Sequence, residues 1–265
     1  MTETWIMTIP RTVPKKAIRL MIEKNDCKKW VIGFEVGNDG YRHYQIRLVS
    51  SNDNFFQWVK THIPVAHVEE GNKSWNDYER KSGNFISSED TNQIRQVRFG
   101  TLNQFQKTVL QEVRSQNVRQ IDVYLDPSGH HGKSWLVNYL WERGECHYIP
   151  PYLGNGKAII QDVASKMEQD RRPIICIDIV RNQKWTDDLY IALEVIKDGL
   201  VDDPRYSGKT INIRGTKVIV FTNAKLDTKK LTFDRWRLHG VGGSKHPPTT
   251  PHANDEDSVV GKTLS

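Results

Sequence analysis

A tyrosine and a lysine, Tyr78 and Lys81, stand three residues apart, a spacing that places both side chains on one face of a helix. A phenol with a pKa near 10 is a weak nucleophile at neutral pH. It can attack a phosphodiester when a divalent cation polarises the phosphate and a nearby lysine lowers the local potential. The pair is therefore a candidate catalytic centre, with Tyr78 as the nucleophile and Lys81 as its cationic partner.

Three possible metal ligands lie upstream of this pair. Side chains alternate along the strand predicted over residues 41–50, so His43 and Gln45 share its open face, away from the apolar core. A hairpin turn at residues 38–40 would set Glu35 directly opposite His43, and Gln45 opposite Gly33, whose missing side chain leaves room. A carboxylate, an imidazole and an amide carbonyl suit Mg²⁺ or Mn²⁺ and are poor ligands for structural zinc. The predicted metal ligands are Glu35, His43 and Gln45.

A second phosphate-directed motif follows the predicted strand at residues 121–125. Gly129, Gly132, Lys133 and Ser134 open the next helix, where backbone N–H groups and the helix N-terminus can cradle phosphates. Lys133 would reach the β- and γ-phosphates of ATP, and Ser134 would bind Mg²⁺. Pro127 stands where such loops usually begin with glycine, so the signature is incomplete.

Residues further along could complete a nucleotide site. Asp178 follows an apolar run and is placed to hold Mg²⁺ through water. Ile179 comes next instead of a second acid, so the base that activates water stays open, with Glu194 as one candidate. Asn223 ends the following apolar strand, at residues 217–222.

Bulk properties limit the class of protein. The 265 residues allow two ordinary domains, and the net charge of +6 with pI ≈ 9.1 suits a polyanionic partner. No apolar run approaches the roughly 20 residues of a membrane span. The three cysteines are far apart, which predicts neither a disulfide framework nor a zinc knuckle and fits a reducing compartment.

The order of elements predicts two domains of different class. Over the first 95 residues, short strands and helices joined by a hairpin indicate an α+β domain around an antiparallel sheet. A helix is predicted at residues 74–82, a polar linker at 87–100, and a one-faced helix at 102–116 that packs on its own domain or on a neighbouring subunit. From residue 120, apolar runs separated by helices are typical of a parallel sheet, hence an α/β domain. Residues 242–265 are predicted to be disordered.

The first cluster resembles the HUH-type Rep endonucleases of circular single-stranded DNA viruses. Their motifs are a strand near the start, His-x-Gln (here His43 and Gln45), and Tyr-x-x-Lys followed shortly by Gly (here Tyr78, Lys81 and Gly83). Their acidic ligand falls one strand earlier, at Glu35. The resemblance covers residues 1 to about 240 and is strongest to smacovirus Reps, with nanovirus-like Reps next.

The second cluster is similar to superfamily-three helicases. Their sensor asparagine corresponds to Asn223, and their arginine finger to Arg235, with Arg237 as a competitor for that role. The combined resemblance implies an α+β HUH endonuclease domain (1–95), a linker or oligomerisation helix (96–118), an α/β P-loop ATPase domain (119–240) and a disordered tail (241–265).

This resemblance implies a rolling-circle replication initiator that nicks and rejoins DNA through a 5′-phosphotyrosine intermediate and unwinds DNA with ATP. The implied cofactors are Mg²⁺ or Mn²⁺ and ATP. The implied partners are single-stranded DNA, origin DNA and further copies of the chain in a ring, expected to be a hexamer, with no membrane. The expected location is the host replication compartment, the nucleus in a eukaryote or the cytoplasm in a prokaryote.

Two alternatives remain open from the sequence. The first is a nucleic-acid-binding module whose NTPase only controls assembly, motivated by Pro127 and Ile179. The second is a plasmid or cellular initiator with the same chemistry.

Overall fold

The computed structural model describes residues 2–72, 78–152, 155–205 and 208–241. These form two compact units. One unit takes the described residues through Leu102 together with Trp135–Cys146, and the other takes Asn103–Ser134 and the described residues from His147 onwards. The chain is thus an α+β protein with a five-stranded antiparallel sheet, a separate parallel sheet flanked by helices, and a two-stranded antiparallel hairpin.

The first unit is built on a five-stranded sheet in the order β4-β1-β3-β2-β5, and its strand pairs are antiparallel. A 3-10 turn, Tyr78–Arg80, lies between β4 and β5. The elements are β1 (Glu3–Pro10), α1 (Lys15–Lys24), β2 (Lys29–Val36), β3 (Arg42–Ser50), α2 (Phe55–His62), β4 (His67–Glu70), β5 (Phe85–Ser87) and α3 (Asn92–Arg98).

Alternation along the strands divides this sheet into two chemically different faces. On one face, side chains such as Met7, Ile46 and Leu48 are fully buried in a core that also receives Met21 of α1 and Phe55 of α2. Burying such side chains contributes about 1.5–3 kcal/mol each. The polar residues at the intervening positions therefore lie on the other face, which carries the first candidate site.

The second unit is built on a sheet in the order β12-β6-β11-β8-β7, in which β12–β6, β6–β11 and β11–β8 are parallel. Its core is rich in buried Ile and Val, as a sheet covered on both faces requires. Its elements are α4 (Gln104–Ser115), β6 (Ile121–Leu125), β7 (Cys146–Ile149), α6 (Gly156–Gln169), β8 (Ile174–Ile179), α7 (Asp187–Asp198), the hairpin β9 (Leu200–Asp203) and β10 (Lys209–Asn212), β11 (Lys217–Thr222) and β12 (Trp236–Gly240). Helix α5 (Lys133–Glu142) gives its first two residues to this unit and the remainder to the first unit.

Two predicted elements differ from the structure. The polar linker predicted at residues 87–100 is wrong, because Asn92–Arg98 forms α3, capped by the Thr91 side chain, which accepts from the Ile94 N–H. The buried guanidinium of Arg98 donates to Asp90 and Glu142, so this polar segment is anchored by ion pairs. Of the helix predicted at 74–82, the described part is the 3-10 turn, and residues 73–77 lie outside the described residues.

Helix α4 packs on its own unit, which is one of the two arrangements that its sequence left open. Val109 and Val113 are buried, and the helix contacts β11 of its own unit. Asn103 and Gln106 form a reciprocal capping box that fixes where the helix begins. Within the part of the chain that is described, none of the helices has the length and apolar character that a membrane crossing demands. The predicted tail at 242–265 falls outside the described residues.

Candidate functional site

The hairpin of β2 and β3 brings the predicted metal ligands onto one face. Glu35 is paired directly with His43, and Gly33 with Gln45, so the predicted register is confirmed. The turn closes with Gly37 N–H donating to the Tyr41 carbonyl at 2.8 Å. Because paired residues project their side chains on the same side of a sheet, the carboxylate, imidazole and amide share one patch.

The Glu35 carboxylate is the centre of this patch. Its Oε2 lies 3.8 Å from His43 Nε2 and 3.1 Å from the Lys81 ammonium. Its Oε1 is buried and has no hydrogen-bond partner among the described residues. Tyr41 fixes the orientation of the His43 ring, because its carbonyl lies 3.2 Å from His43 Nδ1 and its ring stacks on the imidazole. A buried, unpartnered carboxylate oxygen beside an imidazole nitrogen fits a divalent cation.

Gln45 extends the patch along β3. Its Oε1 accepts a hydrogen bond of 3.0 Å from the Thr8 hydroxyl, and Thr8 is its register partner on β1. The amide carbonyl therefore has a fixed direction and keeps one lone pair for a cation. Sequence reasoning missed Thr8, although it alternates with the buried residues of β1 and so had to lie on the polar face.

Tyr78 and Lys81 meet this patch through the 3-10 turn. Residues three apart eclipse each other in a 3-10 turn, so the shared face predicted for a helix is kept. The Lys81 ammonium lies 3.6 Å from the centre of the Tyr78 ring, and that ring is half exposed. Burial acts to lower the pKa of Lys81, but hydrogen bonds to Tyr78 and Glu35 outweigh it and raise that pKa. Lys81 is therefore a fixed positive charge that contacts both the Tyr78 ring and the Glu35 carboxylate.

The polar face is more covered than the sequence predicts, and the expectation of an open face at Gln45 is wrong. Gln45 and Arg47 are buried because the turn that carries Tyr78 lies over the sheet. The turn is held by an ion pair between Arg47 Nε and Glu79 Oε1, at 3.0 Å, with both side chains almost fully buried. The Glu79 carbonyl lies against Gly33, where a side chain would clash with it, so glycine at this position allows the turn to pack on the sheet.

The predicted phosphate loop of the second unit joins β6 to α5. Gly129 and Gly132 have φ values of +78° and +84°, a conformation that glycine adopts without steric cost. Asn103 and Gln106 of α4 donate to the carbonyls of His131 and Gly132, at 3.3 and 3.0 Å. The loop is thus held in shape by its own unit despite Pro127 at its first position.

A buried carboxylate, Asp126, organises this loop, and sequence reasoning missed it. It accepts from the Gly129 N–H at 2.7 Å, lies 3.1 Å from His131 Nδ1, and pairs with the Lys133 ammonium. Burial acts to raise the pKa of Asp126, but the Lys133 charge and these hydrogen bonds lower it to about 2. The signal available was its position directly after an apolar strand.

The remaining predicted nucleotide residues gather at the carboxyl ends of three parallel strands. The Ser134 hydroxyl donates to Asp178 Oδ2 at 2.6 Å, which joins the loop to the end of β8. The Asn223 amide, after β11, donates to the Asp126 carbonyl. Carboxyl ends of strands are where open α/β sheets bind ligands. Hydroxyl, carboxylate and ammonium groups here fit Mg²⁺ and the phosphates of ATP.

The residues predicted to act on a neighbour's nucleotide are engaged within their own unit. Arg235 is buried, and its guanidinium pairs with Asp198 and lies 3.8 Å from Glu194. Arg237 pairs with the buried Asp122 at 3.1 Å. Both guanidinium groups thus pair with carboxylates of their own unit, and the arginine-finger role of Arg235 or Arg237 stays a prediction.

Comparison with known proteins assigns no family. No protein-family model matches the chain, and no curated protein matches it. Across the described residues, no three His, Cys, Asp or Glu side chains gather as a metal-binding group. The patch at Glu35 contributes only two of those residue types, and its third candidate ligand is the Gln45 amide.

Proposed function

We propose that the first unit nicks and rejoins single-stranded DNA through Tyr78. The observation that supports this most strongly is the contact of Lys81 with both the Tyr78 ring and the Glu35 carboxylate. This contact links a half-exposed phenol to a metal-fitting patch. The chain would then be a rolling-circle replication initiator of the HUH Rep type.

The proposed reaction is a transesterification at one phosphodiester of the DNA. The Tyr78 oxygen attacks the phosphorus and loses its proton, while the bond from phosphorus to the 3′ oxygen breaks. The products are a 5′-phosphotyrosine link and a 3′-hydroxyl, which takes up a proton. Because the ester bond energy is kept, a 3′-hydroxyl can attack the link and rejoin strands.

The side chains have separate roles in this step. Lys81 offsets the negative charge that develops as the phenol loses its proton. A divalent cation held by Glu35, His43 and Gln45 would polarise the phosphate. Thr8 and the Arg47–Glu79 pair keep the ligand and the turn in place.

We further propose that the second unit binds and hydrolyses ATP with Mg²⁺. Lys133 and Gly132 would meet the phosphates, while Ser134 and Asp178 would hold the cation and Asn223 would orient water. Origin DNA, a homo-oligomeric ring and location in a replication compartment belong to the same proposal. The burial of Arg235 and the presence of Ile179 favour one alternative for this unit, an NTPase that controls assembly without driving unwinding.

A labelled single-stranded oligonucleotide with Mn²⁺ tests the nicking activity. Wild-type protein should leave protein covalently attached to DNA on a denaturing gel, and chelation of the metal should abolish it. Tyr78→Phe should form no adduct, whereas Tyr152→Phe, an exposed tyrosine of the second unit, should behave as wild type. An adduct formed by Tyr78→Phe at the wild-type rate would contradict the assignment.

The ATPase is tested separately. Lys133→Ala should lose ATP hydrolysis and retain nicking, while Lys157→Ala, on the exposed surface of α6, should retain both. ATP hydrolysis with strand separation supports a helicase. Hydrolysis coupled only to a change in oligomer size supports the assembly-controlling NTPase.

A further inference from the structure

The first unit has a cavity on the sheet face opposite Glu35. Its volume is about 700 Å³, and it lies between α1 and the strands β2 and β5. Its floor is formed by Trp30, Ile32 and Ile86, while Ile18 and Ile22 of α1 form a wall. Along β2 these residues alternate with Gly33 and Glu35, so the cavity is separate from the metal-fitting patch.

The rim of the cavity is basic. Lys15, Lys16 and Arg19 on α1, together with Arg95 of α3, line it, and Glu23 is the one acidic residue of the lining. Glu23 pairs with Arg19 at 2.7 Å, and Arg95 pairs with Asp90 at 3.3 Å, so the net positive charge of the rim comes from Lys15 and Lys16. An apolar floor with a positive rim fits a ligand that carries apolar groups next to negative charges.

The chemistry of the floor favours a peptide over nucleic acid. Bases bind single-stranded sites by stacking on open aromatic faces. Here the Phe34 ring is already contacted by the Arg11 guanidinium at 5.6 Å and the Lys15 ammonium at 5.5 Å. Four isoleucines complete the apolar lining together with Trp30 and Tyr44, and isoleucine side chains accept branched aliphatic anchors of the kind that apolar grooves bind in peptides.

One segment of the chain has this composition. Residues 255–260, beyond the described part of the chain, have the sequence Asp-Glu-Asp-Ser-Val-Val, three acids followed by an aliphatic pair. Residues 242–254 separate it from Val241 and, when extended, can span about 45 Å. We propose that this cavity binds residues 255–260 of a neighbouring copy of the chain, with the acids at the rim and Val259 and Val260 on the isoleucine floor.

The proposal concerns a self-association surface and does not depend on the nicking or ATPase activity. Its test uses the full chain with Val259→Asp and Val260→Asp, which removes the aliphatic anchors and frees the cavity. A fluorescently labelled peptide of residues 250–265 is then added, and its binding is followed by polarisation. We expect saturable binding that weakens as salt is raised.

The cavity itself is tested with charge reversals. Lys15→Glu and Lys16→Glu in the same background should weaken peptide binding at least tenfold. Both residues are exposed in the first turn of α1, where acidic side chains are compatible with the helix dipole. A matched control, Lys157→Glu with Lys229→Glu, makes the same change of net charge in the second unit and should bind as the parent does.

Hydrogen exchange gives an independent measurement on the intact chain. Amides of α1 and β2 should exchange faster in the Val259→Asp, Val260→Asp chain than in wild type. The proposal is overturned if the peptide does not bind, if both charge-reversal pairs weaken binding equally, or if exchange in α1 and β2 is identical in the two chains. The proposal is also overturned if an oligonucleotide displaces the peptide equally well from the Lys15→Glu, Lys16→Glu chain and from the control chain, because the peptide would then be binding non-specifically.

Discussion

Gly33→Ala is the substitution that probes the seating of Tyr78 most sharply. A methyl group at Gly33 would lie about 1 Å closer to the Glu79 carbonyl oxygen than ordinary van der Waals contact allows. That carbonyl belongs to the 3-10 turn, whereas β2 is held by hydrogen-bonded strands on both sides. The turn, with Tyr78 and Lys81 at its ends, therefore has to move.

The expected magnitude follows from this displacement. A misplacement of about 1 Å can lower the rate of a positioned reaction about 100-fold. The added methyl should destabilise the fold by only about 1–3 kcal/mol, the usual cost of overpacking. Gly33→Ala should thus lose most of its nicking activity while it remains folded at 25 °C.

The assay is single-turnover cleavage of an oligonucleotide, with thermal unfolding measured in parallel. Gly37→Ala is the matched control from the same hairpin, because a methyl there meets the movable end of the Asp39 side chain. The control should cleave within a few-fold of wild type. If Gly33→Ala cleaves as fast as Gly37→Ala, the turn is not seated as described and the reasoning is refuted.

Three further predictions concern buried charges. Glu79→Gln should destabilise the first unit by about 3 kcal/mol in urea unfolding, because it leaves a buried guanidinium without its counter-charge; a loss below about 1 kcal/mol would contradict this. Glu35→Gln should weaken Mn²⁺ binding at least tenfold by titration, whereas Asp39→Asn should not, and equal affinities would remove Glu35 from the ligand set. Asp126 has a folded-state pKa of about 2, below its ordinary 3.8. Its ionised carboxylate therefore adds about 2 kcal/mol to the free energy of unfolding above pH 4, and this contribution is lost as pH falls towards 2. The stability difference between wild type and Asp126→Asn should shrink over that range, and a difference independent of pH would contradict the assignment.

Local sequence patterns were sufficient for the strands and for the hairpin register. Polar and apolar residues alternate along β3, and the glycine-containing turn fixes how β2 pairs with it, so Glu35 faces His43. A register shift by one residue would turn the apolar side chains of the strand towards solvent. The parallel strands were similarly recognisable as short apolar runs between helices. Such features depend on residues close together in the chain.

Features that depend on distant partners were not predictable in the same way. Helix α3 is polar and short, and the ion pairs of Arg98 with Asp90 and Glu142 hold it in place. The cover over Gln45 depends on Arg47 and Glu79, which are 32 positions apart. The polar residues around Arg235 indicate an exposed side chain, but in the fold Arg235 is paired with Asp198. Pairings of this kind follow from tertiary packing, which periodicity does not encode.

Mapping the covalent DNA–protein adduct by peptide mass spectrometry tests the central claim most directly. Wild-type protein is incubated with a single-stranded oligonucleotide and Mn²⁺, the DNA is digested to a nucleotide remnant, and the modified peptide is sequenced. We expect a phosphate ester on the oxygen of Tyr78. An ester on another residue, or nicked DNA with no modified peptide, would contradict it.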